Sequence, residues 1–117
     1  MNNLGTVRRA ERAYAAASAT RSLRAQEAEV FARVIASLRL GARGSSADRV
    51  RALADTALLW SSVLDQVRDP ANQLPERLRA MIASIAMAVQ REVAVPQPNF
   101  DFLIEVNENI AAGLADD

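Results

Sequence analysis

The residue types that most often perform catalysis are missing from this sequence. It contains no histidine and no cysteine, which removes the usual general base at neutral pH, the thiolate nucleophile and most transition-metal ligand sets. Ser61, Ser62 and Ser84 have neither a histidine nor a lysine to activate them. Glu27 and Glu29 are two residues apart, so on a helix their carboxylates point away from each other. We therefore predict that the protein is not an enzyme.

Motifs for cofactors and nucleic acids are equally scarce. Gly41 and Gly44 follow no predicted strand, so they indicate a turn and not a phosphate-binding loop, and we expect no cofactor and no metal. Residues 1–24 hold five arginines, which could neutralise phosphates. The whole chain, however, has a formal charge of zero and a pI near 6.3, unlike the basic domains that bind nucleic acids. The sequence therefore argues against direct nucleic-acid binding.

The elements that must carry the function are helices. Half of the residues are hydrophobic but only 4% are aromatic, and an alanine-rich, aromatic-poor composition favours closely packed helices over strands. A chain of this length fits one domain, residues 1–117. No apolar run reaches the roughly 18 residues that cross a bilayer, and the lack of cysteine fits the cytoplasm. We predict a cytoplasmic protein without membrane insertion, and the sequence leaves its oligomeric state open.

Five segments show the three- and four-residue apolar spacing of amphipathic helices. In the first, residues 7–19, the apolar stripe is mostly alanine, so residues 1–21 are expected to form a weakly docked helix or arm. A second helix is expected to begin at a Ser22 cap. It is expected to end at the turn formed by residues 41–46.

Three further helices are predicted between signals that start and stop helices. The third begins near Ser46 and ends at residues 69–72, and the fourth begins at Pro75. Asn99 is the expected cap of the last helix, and Gly113 its exit signal. Because the connections are short, neighbouring helices should be antiparallel. The sequence therefore predicts an all-α fold, a single small bundle of four to five helices.

In several segments the particular residues, beyond their apolar spacing, are distinctive. They are Leu59-Trp60, then residues 72–80 with the sequence NQLPERLRA, then residues 103–114 with the sequence LIEVNENIAAGL, preceded by the predicted helix at 22–38. In this order and spacing they resemble the flagellar biosynthesis regulator FlaF family of alphaproteobacteria. The resemblance implies a cytoplasmic protein that binds flagellin as an export chaperone or secretion adaptor and promotes flagellin production. The alternative is a post-transcriptional regulator that acts through an FlbT-type protein or flagellin messenger RNA.

The candidate partner-binding residues come from these segments. They are Leu59, Trp60, Asn72, Leu74, Arg79, Asn107, Asn109, Ile110 and Leu114. Trp60, the only tryptophan, fits core packing better than partner contact, and the two asparagines at 107 and 109 fit interhelical hydrogen bonds as well as binding. Leu58 and Leu59 beside Trp60 supply more apolar surface than one core needs, so part of it is expected to face a partner.

The two ends of the chain carry opposite charge. Residues 99–117 contain five acids and no base, whereas residues 1–24 contain five arginines and one acid. This complementarity predicts that the last helix docks on the first and covers the partner groove when no partner is bound.

Overall fold

The protein is built from α-helices alone in the part that its structure describes. The computed structural model describes residues 3–115, with side chains described at 7–10 and 27–113. Its helices are α1 (Asn3–Arg43), α2 (Ser46–Arg68), α3 (Glu76–Ala94) and α4 (Phe100–Ala115). Within residues 3–115 there is no strand. The prediction of an all-α bundle with four to five helices is confirmed.

Helix α1 is one continuous helix of 41 residues where the sequence predicted two. Ser22, the predicted cap, lies inside this helix, and the helix continues through Gly41 to Arg43. The predicted break is wrong because no glycine or proline lies between residues 6 and 40, and a serine costs a helix interior no more than about 0.7 kcal/mol. Residues 7–10 are exposed, and the rest of the predicted arm, residues 1–21, lies outside the described side chains.

The length of α1 sets the shape of the molecule. At a rise of 1.5 Å per residue, α1 is about 62 Å long and α2 is about 35 Å long. The molecule measures 67 × 27 × 21 Å. Among the described side chains of α1, burial begins at Phe31, so the bundle is assembled on the C-terminal part of this helix.

Local hydrogen bonds mark the helix starts that the sequence predicted. The hydroxyl of Ser45 accepts from the backbone N–H of Asp48 at 3.2 Å, and the Asp48 carboxylate accepts from the N–H of Ser45 at 3.0 Å, which begins α2. Pro75 directly precedes α3. The side chain of Asn99 accepts from the N–H of Phe102 at 3.0 Å and begins α4. These three starts are confirmed.

The core lies where α1 packs against α2 and α4, and where α2 packs against α3. Its buried apolar residues are Phe31, Val34, Leu38, Ala52, Trp60, Ala86, Val89, Phe100 and Leu103. Helix α1 approaches α2 and α4 closely at Gly41. A Cβ atom at Gly41 would lie 2.9 Å from the Cβ of Ala52 and 3.0 Å from the ring of Phe100. The approach therefore requires a residue without a side chain.

Helix α4 is part of this core, and most of the arginine-rich segment 1–24, on which the sequence predicts that it docks, lies outside the described side chains. Phe100 and Leu103 are buried in the core, and Arg39 of α1 forms an exposed ion pair with Glu108 at 2.6 Å. Gly113, the predicted exit signal, lies inside α4, which continues to Ala115. Because α4 supplies core residues, its place in the bundle is structural.

Candidate partner-binding groove

An open groove of about 450 Å³ runs between α1 and α2. The groove is lined by Val30, Arg33, Val34, Asp55, Leu58, Leu59 and Ser62. None of these residues belongs to α4, so the predicted covering of the groove by the last helix is not observed.

Each wall of the groove is one face of a helix. The α2 residues at 55, 58, 59 and 62 and the α1 residues at 30, 33 and 34 are three or four positions apart, which is the spacing of one helix surface. The Ser37 hydroxyl donates to the Asp55 carboxylate at 3.0 Å. This hydrogen bond joins the two walls at the end nearest the α1–α2 turn.

Leu58 and Leu59 form the apolar part of the α2 wall. Leu58 is 74% exposed, the highest value among the large hydrophobic residues described. Leu59 is half-buried and packs against the core while it also lines the groove. Together these two leucines give the groove an apolar surface on its α2 side.

The groove carries one charge on each wall. Arg33 on α1 is exposed and has no ion pair among the described residues. Asp55 on α2 is half-buried, and its hydrogen-bond partner is Ser37. A ligand lying in the groove would therefore meet a cation on one side and a carboxylate on the other.

Trp60 and Asn107 form a buried, hydrogen-bonded pair in the core, which we call the core pair. The indole N–H of Trp60 donates to the Asn107 side-chain oxygen at 3.0 Å, and the Asn107 amide donates to the backbone carbonyl of Leu103 at 2.7 Å. Phe31 packs edge-on against the Trp60 ring with centroids 6.0 Å apart. Both members of the pair are fully buried, so neither presents a surface to a partner in this structure.

Comparison with known protein families identifies the family of this helical bundle. Residues 10–114 match the family model described as Flagellar protein FlaF. The chain belongs to the FlaF family. Both groove walls and the core pair lie inside the matched segment of this FlaF family member. Comparison with curated proteins and with solved structures gives no significant match.

Three predicted site residues lie at or near the connection between α2 and α3. Asn72 shapes this turn: its side-chain oxygen accepts from the N–H of Leu74 at 3.0 Å, and its amide donates to the carbonyl of Gln66 at 2.9 Å. Leu74 is exposed. Arg79 is half-buried in the first turns of α3, and its Nε is buried without a hydrogen-bond partner. None of these residues is part of the groove lining.

The predicted site residues of α4 also lie outside the groove. Asn109 is exposed, and Ile110 is half-buried against the core. The side chain of Leu114 lies outside the described residues. Of the nine predicted site residues, Leu59 alone is part of the described groove lining.

Sequence reasoning missed most of the groove. The excess of apolar residues around Trp60 pointed to Leu58 and Leu59, which do lie at the groove. The α1 wall had no such signal, because Val30 and Val34 are ordinary members of an amphipathic stripe and Arg33 resembles any solvated arginine.

The described residues contain neither a candidate metal site nor a membrane-spanning helix. Among them, no group of three or more histidine, cysteine, aspartate or glutamate residues is arranged to hold a metal ion. None of the described helices is long and apolar enough to cross a membrane.

Proposed function

We propose that this FlaF family protein binds flagellin in the cytoplasm as an export chaperone or secretion adaptor, and that it promotes flagellin production without catalysing a reaction. Membership of a flagellar protein family supports a role in the flagellum. The observation that carries the proposal is the open apolar groove between α1 and α2, with Leu58 at its edge.

The groove suits the part of flagellin that needs protection before export. Newly made flagellin exposes amphipathic helical ends, whose apolar faces would otherwise associate with other copies. Grooves with apolar walls bind such helices through side chains at positions i, i+3, i+4 and i+7. A bound helix would cover Leu58 and Leu59 while its own apolar face is withdrawn from water.

Replacing Leu58 with a charged residue tests the proposal. Purified flagellin monomer is titrated by calorimetry with the wild type, Leu58→Glu and the control Val50→Glu. Leu58 and Val50 are exposed residues of α2, at 74% and 68%, and Val50 is outside the groove lining, so both variants should fold. Burying a leucine contributes about 1.5–3 kcal/mol, so Leu58→Glu should weaken binding by about 10-fold or more.

Two further readouts make the result decisive. Binding of the wild type should show a negative heat-capacity change, because apolar surface is buried. Val50→Glu should bind flagellin within about twofold of the wild type, since surface substitutions away from a site change free energies by about 0.5 kcal/mol or less. Absence of wild-type binding at micromolar concentrations, or equal effects of the two variants, would contradict the proposal.

A regulatory role in flagellin synthesis is the second candidate. Its supporting observation is the set of five arginines in residues 1–24, of which Arg8 and Arg9 are exposed on α1. Contact with flagellin messenger RNA would weaken steeply as salt is added, because counterions compete for the phosphates, whereas binding in an apolar groove would change little. Binding to RNA or to an FlbT-type protein, with no binding to flagellin, would favour this candidate.

A further inference from the structure

The charges on the groove walls specify the orientation of the bound segment. Resting on the proposed function, we propose that the groove holds one amphipathic flagellin helix in a single direction. This helix carries a carboxylate on the flank beside α1, where it meets Arg33, and a cation on the flank beside α2, where it meets Asp55.

The groove favours a helical occupant over an extended one. Both walls are α-helices, whose backbone N–H and C=O groups are already paired inside each helix. An extended segment would bring unpaired backbone groups into an apolar groove that offers no sheet edge to pair with them. A helix satisfies its own backbone, so it can be buried by side-chain contacts alone.

The groove is long enough for about two helical turns. Its lining extends from Asp55 to Ser62 on α2, about 10 Å at a rise of 1.5 Å per residue.

The two charges select one direction of binding. Turning a helix end to end in the groove, with its apolar face still buried, exchanges the flanks that face α1 and α2. In the proposed direction each ligand charge meets an opposite charge, at Arg33 and at Asp55. In the reversed direction each would meet a like charge, which is unfavourable in a partly desolvated site.

Charge reversal at each wall tests this inference. The variants are Arg33→Glu, Asp55→Lys and the two combined. The control Arg77→Glu makes the same charge change on an exposed residue of α3. Each variant is first shown by circular dichroism to remain folded.

Each reversal should weaken the binding of flagellin monomer by about 5- to 20-fold at low salt, and the loss should shrink at about 0.5 M salt as the charges are screened. The combined variant should recover most of the wild-type affinity, because a flagellin helix turned end to end then meets an opposite charge on each wall. The control Arg77→Glu should bind within about twofold of the wild type. A combined variant that binds as weakly as the single variants would overturn the inference.

A synthetic peptide gives the direct measurement of direction. The probe is the flagellin segment that binds, carrying a spin label at its N-terminal end, and the readout is which end of the groove, near Asp55 or near Ser62, loses NMR signal. The label should act at opposite ends of the groove in the wild type and in the combined variant, because reversing both wall charges turns the bound helix round. Loss of signal at the same end in both proteins would refute a charge-selected direction.

The outcome of Leu58→Glu separates this inference from the proposed function. If this variant loses binding while every charge reversal behaves like Arg77→Glu, the groove is the flagellin site and the inference about direction is wrong. If flagellin binds Leu58→Glu as well as it binds the wild type, the groove is not the site, and both proposals fail.

Discussion

The core pair of Trp60 and Asn107 can be tested by a double-mutant cycle, with Trp60→Phe, Asn107→Leu and the combined variant. Both side chains are fully buried, and the indole N–H donates to the amide oxygen at 3.0 Å. The two residues are 47 positions apart in sequence, so the bond ties α2 to α4 through the middle of the core. Each single substitution removes one member of the hydrogen bond and leaves the other polar group buried without its partner.

The expected magnitudes follow from this geometry. An unpaired buried polar group costs about 1–3 kcal/mol. Asn107→Leu leaves the buried indole N–H without an acceptor but gains apolar contact, so it should lower the free energy of unfolding by about 1–2 kcal/mol. Trp60→Phe leaves the side-chain oxygen of Asn107 without its donor and also removes buried volume, so it should lower the free energy of unfolding by about 2–4 kcal/mol. The combined variant leaves neither group without a partner. Its loss of stability should therefore be smaller than the sum of the two single losses by about 1–3 kcal/mol.

Urea unfolding followed by far-UV circular dichroism measures the cycle, since Trp60→Phe removes the only tryptophan and with it the fluorescence signal. A second cycle of Trp60→Phe with Asn109→Leu is the control, because Asn109 is an exposed asparagine of the same helix. That control should be additive within about 0.5 kcal/mol. If the losses in the cycle of Trp60→Phe with Asn107→Leu were also additive within about 0.5 kcal/mol, the predicted contribution of the buried hydrogen bond to stability would be refuted.

The remaining predictions concern stability measured by thermal and urea unfolding. Gly41→Ala should destabilise the protein by about 1–3 kcal/mol, because the added methyl group would lie 2.9 Å from a side chain of α2. Gly113→Ala has no atom within 4 Å of the new Cβ and should instead stabilise α4 by roughly 0.5–1 kcal/mol; effects of the same sign at both glycines would contradict the packing. Ser45→Ala should cost about 1 kcal/mol through loss of the α2 cap, and no loss would mean that the cap is dispensable. Arg39→Ala should cost less than about 1 kcal/mol, since its ion pair with Glu108 is exposed, and a larger cost that persists at high salt would argue against this assignment.

Local signals in the sequence were sufficient for most helix boundaries. Ser45 with Asp48, Pro75 and Asn99 act on the backbone within three or four residues, so their effect does not depend on the rest of the fold. The same reasoning was wrong at Ser22. A serine hydroxyl can cap a helix start, but nothing in the flanking sequence breaks the helix, and the backbone continues without interruption.

The tertiary structure decided which apolar faces are buried and which stay open. Leu58 and Trp60 are two residues apart on α2, and both belong to its apolar surface in the sequence. The structure buries Trp60 against Asn107 from α4 and leaves Leu58 at the edge of a groove whose other wall is α1. Amphipathic spacing predicts that a helix has an apolar face, but how wide a part of that face is covered depends on the positions of helices distant in sequence. The sequence by itself therefore determined a helical FlaF family protein, whereas the groove exists only because α1 and α2 pack side by side and no described helix covers the surface between them.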